Sequence, residues 1–158
     1  MIKKWLKIIG IAIIVILVGI QLIPVNRTNP AITRTIKWDT PATQELVQRA
    51  CYDCHSNETT WPWYGYVAPI SWRLADHINE GRDRLNFSAW DQPNTEIDEV
   101  VESIEDNSMP LWDFLLMHPE AKLTATAKAT LIAGLQATLR QDPPIPRAEG
   151  EGENREGD

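Results

Sequence analysis

The chain has 158 residues, with 22 acidic and 15 basic side chains and a formal charge of −7. Three of the Lys and Arg but none of the Asp and Glu precede residue 24, so the part beyond carries a formal charge of −10. That sign argues against a nucleic-acid partner, which wants a basic patch, and suits a soluble domain that meets positively charged docking surfaces.

The first predicted element is an apolar helix. From Ile8 to Ile20 no residue is charged, and Gln21 is the one strongly polar residue before Pro24. Residues 5–23 can span a hydrocarbon core of roughly 30 Å at about 1.5 Å per residue. Lys3, Lys4 and Lys7 all precede the run, which places the N-terminus in the cytoplasm and the rest outside. A cleaved signal peptide is the rival, but "QLIPVNRTNP" offers no small-residue cleavage site. The expectation is a single-pass anchor in the inner membrane over residues 1–23, with the remainder in the periplasm or outside.

Residues 24–38 carry two prolines and no periodic apolar face, which predicts an extended linker. One domain of patterned sequence follows over residues 39–140. "DTPATQELVQRAC" opens with a cap and a first-turn Pro41 and runs helical into Cys51. "APISWRLADHINEGR" spaces Ile70, Leu74 and Ile78 by four, with Gly81 as a stop. "NTEIDEVVESIEDN" sets Ile97, Val100, Val101 and Ile104 on one face behind an Asn/Thr cap. "FLLMHP" reads as a short packed helix. "LTATAKATLIAGLQATLR" starts at the cap Thr124 and aligns Leu131, Ile132, Leu135 and Leu139. The fold class is therefore all-α, with loops long for a bare bundle, as if something else fills the middle. Residues 141–158 are mostly Pro, Gly and Glu, with one Ile and no aromatic residue, an expected disordered acidic tail.

The chemistry concentrates in "RACYDCHSNETTWPWYGYVAP", which holds both cysteines of the chain, Cys51 and Cys54, and then His55. Residues three apart share a helix face. Two thiols so placed can reach the two vinyl groups along one edge of a haem, and His55 is then delivered to the iron. Cys-x-x-Cys-His is the signature of c-type haem attachment. A disulfide closing so short a loop would give no reason for His55. A thioredoxin-like dithiol would need a strand before it, where a helix is predicted. Zinc wants four ligands, and the other histidines, His77 and His118, stand alone in separate segments.

Together, "CYDCHSNETTWPWYGYVAPISW", "HINEGRDRLNFSAW" and "SMPLWDFLLMHPEAKLT" resemble the bacterial haem-binding domain family over roughly residues 40–140. The resemblance implies a cytochrome-c-like helical fold around one covalent haem c, usually behind a membrane anchor. The chain departs from it at "LTATAKATL", which lacks an acidic residue that often follows the start of the last helix. The sixth iron ligand has four candidates: Met109, Met117, His77 and His118. Met109 stands in the loop "DNSMPLW" before Pro110, which fixes the chain direction. Met ligation opposite His is common in such haems, and the resemblance points to the same residue. Trp61, Trp63 and Trp72 are expected to pack on the haem, and Arg73, Arg82 and Arg84 are candidates to pair with its propionates.

With one haem motif and no hydrolytic constellation, the expected function is single-electron transfer to redox partner proteins at the membrane surface. A haem-based sensor with an open sixth position and a haem-free thiol–disulfide protein are the alternatives.

Overall fold

The computed structural model describes residues 2–95 and 97–147, with Ile97 described by its backbone alone. The N-terminal helix α1 (Ile2–Gly19) continues into a 3-10 turn, Ile20–Leu22, and none of its residues is buried. The stretch Ile2–Leu22 is long and apolar enough to cross a membrane.

The helices that follow are α2 (Pro41–Ala50), the single turn α3 (Tyr52–His55), α4 (Ile70–Arg84), α5 (Ile97–Glu105), α6 (Trp112–Met117) and α7 (Ala125–Gln141). Two of them start at caps legible in the sequence. Thr40 Oγ1 accepts from Thr43 N at 3.3 Å, and Thr124 Oγ1 accepts from Ala127 N at 3.1 Å. Each satisfies an amide that has no partner inside its helix. The start of α5 adjoins residue 96, outside the described residues, and Asn94 and Thr95 are seen holding the end of α4. Asn94 Oδ1 accepts from Asn86 N at 2.7 Å and Thr95 Oγ1 donates to Arg84 O at 2.8 Å, so both bind back to the end of α4.

The core lies where α7 meets α2 and α5. It is built from Val47 of α2, Ile104 of α5, and Leu131, Leu135 and Leu139 of α7, together with Tyr52, Phe87 and Trp90. Phe87 stacks between Tyr52 and Trp90 at ring-centroid distances of 5.9 and 6.1 Å. Helices α2 and α7 approach closely because Gly134 has no side chain. A Cβ there would lie 2.1 Å from Thr43 Oγ1.

Three expectations change. Residues 24–38 are extended, but they are strapped to the domain. Trp90 N donates to Arg34 O at 2.9 Å, Asn57 Nδ2 donates to Ala31 O at 2.8 Å, and Ile36 is buried at 4 % exposure. Burying that one branched side chain contributes about 1.5–3 kcal/mol, beside the backbone bonds, against the entropy of ordering the strap. The expected tail also begins as structure. Ile145–Pro146 pairs in parallel with Pro93–Asn94, and buried Asp142 bonds to Arg34 and to Lys37 N. The remainder, residues 148–158, lies outside the described residues. Finally, Gly81 does not stop α4, which runs on to Arg84. The glycine is needed for close approach instead, because a Cβ there would meet Cys54 O at 2.7 Å.

Candidate functional site

The single turn α3 carries the motif. Cys51 closes α2 with its N–H on Val47 O, and the chain turns at once into Tyr52–His55, with His55 N bonded to Cys51 O at 2.9 Å. Both cysteines are free thiols and half-buried. Burial pushes the Cys51 thiol up to about 12, with Cys54 adding to the shift, and pushes Cys54 up to about 11. Both sulfurs are therefore neutral near pH 7, unlike the activated thiolate of a redox dithiol.

His55 is held in one orientation. Its Nδ1 lies 3.0 Å from Gly81 O and 3.1 Å from Leu85 O. Both partners are carbonyls, which only accept, so Nδ1 carries the proton and Nε2 keeps its lone pair. Burial also lowers the His55 pKa, which the bonds to Leu85 and Gly81 partly offset. A neutral imidazole with its far nitrogen fixed by a carbonyl is the arrangement that orients a metal-ligating histidine.

Two cavities of about 290 and 270 Å³ adjoin this ring. They share Ala50, Cys51, His55, Arg84, Met109 and Pro110 as walls. Joined, they fall within the roughly 300–1,000 Å³ usual for cofactor pockets. The first is walled mainly by aliphatic side chains, among them Val47, Leu85, Val100, Ile104, Leu131 and Leu135. Cys54 opens on the second.

Met109 reaches both cavities from the loop after α5. That loop is pinned at several points. Met109 N donates to Ser103 O at 2.9 Å and Ser108 N to Asp106 Oδ1 at 2.8 Å. Asn107 turns the chain with φ of 66°, a left-handed conformation that Asn tolerates well, and Lys128 Nζ donates to its Oδ1 at 2.6 Å.

Of the other candidates, His77 alone reaches a cavity. His77 borders the second cavity one helical turn before Gly81. His118 stacks on Phe114 at 4.1 Å and takes Tyr64 Oη at 2.7 Å and Glu120 at 3.0 Å, outside both cavities. Met117 is exposed rather than packed and borders neither cavity.

Trp61, Trp63 and Trp72 line neither cavity. Trp61 packs against Gly65 and beneath the Arg27 guanidinium, and Trp63 is 72 % exposed. The aromatic walls come instead from Phe87 and Phe114. Of the three arginines, Arg73 pairs with Asp113 at 2.7 Å. Arg82 braces Ser56 O, Asn29 and Thr59. Arg84 alone borders the cavities. Sequence reasoning missed Val100, Ser103 and Leu123 as walls, and a helical face turned toward α7 was the one available hint.

The haem-binding domain family matches residues 15–137, from the second half of α1 to within α7. Comparison with curated proteins and with solved structures gave no match. With the match covering most of the chain, and a fixed imidazole facing an apolar cavity, the chain belongs to the haem-binding domain family.

Proposed function

We propose that this chain is a membrane-tethered, extracytoplasmic c-type cytochrome domain that carries single electrons. The observation that carries the reading is the His55 ring, locked through Nδ1 by Gly81 O and Leu85 O, at a cavity that Met109 also lines.

The residues present fit a haem in four respects. Cys51 and Cys54 stand at the cavity wall with protonated, unpaired sulfurs for thioether formation. His55 Nε2 would hold the iron from α3, and Met109 Sδ would hold it from a separately pinned loop. Aliphatic side chains from α2, α5 and α7 cover an apolar macrocycle. Arg84 supplies a cation for a propionate. The bound haem would provide a one-electron iron couple, with Met ligation and burial raising its potential.

The chain's own residues then have three tasks. Gly81 and Leu85 keep the imidazole at one angle. Ser103 and Asp106 keep the Met109 loop in place. The aliphatic walls exclude water. A haem held by both His55 and Met109 would offer a substrate no place at the iron, which favours electron carriage over catalysis or gas sensing. The high thiol pKa values and the helix before Cys51 disfavour the thiol–disulfide alternative.

The charge of −10 beyond the anchor suits redox partners with positive docking faces, whose encounter would weaken with salt. Lys3, Lys4 and Lys7 favour a cytoplasmic N-terminus, with the domain outside the inner membrane. A potentiometric titration of the haem-loaded protein tests the function. The expected result is one reversible wave with a one-electron slope. Absence of a reversible couple, or ready CO binding by the reduced wild type, would overturn it.

A further inference from the structure

Beyond the apolar helix, the longest run without a charged side chain is residues 59–72, in a part of the chain whose net charge is −10. It contains the 3-10 turn Trp63–Tyr66 and the start of α4. Trp61, Tyr64 and Trp72 of this run are half-buried, but four of its large apolar side chains are exposed: Trp63 at 72 %, Tyr66 at 59 % and Ile70 at 51 %, with Val67 beside them. Monomeric domains seldom leave such a cluster uncovered unless it meets a partner.

The structure also shows where this face lies. Gln21, at the end of the apolar helix, clasps Ala68 from both sides. Its Nε2 donates to Ala68 O at 3.1 Å, and Ala68 N donates to its Oε1 at 2.9 Å. The exposed residues flank that clasp in sequence, so they begin where the helix ends. Arg27 is fixed against the same turn, its Nε on Gly65 O at 2.9 Å and its guanidinium 4.6 Å from the Tyr66 ring centroid.

We propose that Trp63, Tyr66, Val67 and Ile70 rest in the headgroup region of the bilayer that α1 spans, with Arg27 facing lipid phosphates. This rests on reading α1 as a membrane anchor. Trp and Tyr favour that boundary because each has an apolar body and a polar tip. A patch without carboxylates, with one fixed cation beside it, is the part of this acidic domain that an anionic surface repels least. Continuity with the membrane helix, through Gln21 and Ala68, selects lipid over a protein partner. The strap of residues 24–38 then fixes one orientation of the haem cavities relative to the membrane.

The test uses the full haem-loaded chain in native membranes, with the photocrosslinking residue p-benzoylphenylalanine in place of Trp63, Tyr66 or, as control, Gln136. Gln136 is exposed on α7, which packs against α2 and α5. After irradiation, intact mass reads the adduct, and alkaline carbonate extraction of the same membranes reads the anchor. The expected result is a chain retained through carbonate, with phospholipid adducts at 63 and 66 at least tenfold above 136. A retained chain with no lipid adduct at 63 and 66, or with adducts to a protein or a second copy there, overturns the docking and leaves the anchor standing. A chain released by carbonate overturns the anchor and this proposal with it.

Discussion

Gly81→Ala isolates the contact that positions the His55 ring. A Cβ at this position would lie 2.7 Å from Cys54 O, 3.2 Å from Cys54 C and 3.3 Å from Cys54 Cβ. The first two atoms are backbone, so relief requires α3 and α4 to move apart. Overpacking of this kind costs about 1–3 kcal/mol. The movement also lengthens the bond from His55 Nδ1 to Gly81 O, now 3.0 Å, which costs about 1 kcal/mol more. Alanine recovers about 0.5–1 kcal/mol of helix propensity. The net expectation is a destabilisation of about 2 kcal/mol. In a domain of this size that lowers Tm by roughly 10 °C. The assay is thermal unfolding of the haem-loaded chain in detergent, followed by circular dichroism, with the His55 Nδ1 proton resonance read by NMR. A G81A protein as stable as the wild type, with that resonance unmoved, would refute the close-approach argument.

Replacing Met109 with Ala should abolish the far-red sulfur-to-iron absorption band of the oxidised protein, lower its reduction potential and let the reduced form bind CO. In the haem-free chain, burial keeps Cys51 and Cys54 protonated, so alkylation by iodoacetamide at pH 7.5 should be at least tenfold slower than for an unfolded control and should accelerate steeply above pH 9. Ile36→Ala should cost about 2–5 kcal/mol in a urea titration if the strap is part of the folded unit, and an unchanged midpoint would show that it is not.

The turn that carries Cys51, Cys54 and His55 to a cavity wall was legible because it is local. Cys51, Cys54 and His55 need only one helical turn to converge, and the sequence spacing encodes that turn. Met109 was legible from its loop and its proline. That it shares both cavities with His55 was not, since that depends on α5 packing on α7 while α3 packs on α4. The tryptophans show the limit most clearly. Trp61, Trp63 and Trp72 follow the motif closely in sequence, yet the 3-10 turn at Trp63–Tyr66 carries that stretch past the cavities, toward Arg27 and solvent. The actual walls, Val100, Leu131 and Leu135, arrive from helices 45 or more residues later. Gly81 was read through the rule that glycine ends helices. The competing reason, a backbone 2.7 Å away, belongs to another element and leaves no local trace. The strap was misjudged for a related reason: one buried Ile36 among polar residues shows no periodicity.

Covalent attachment through Cys51 and Cys54 is the central claim, and intact-mass measurement tests it most directly. The protein should be expressed with a haem-attachment system, denatured and stripped of loosely held ligands before weighing. The account predicts the polypeptide mass plus one haem, falling to the bare polypeptide in a Cys51→Ser, Cys54→Ser double variant. A wild-type chain that weighs only its own sequence would contradict it.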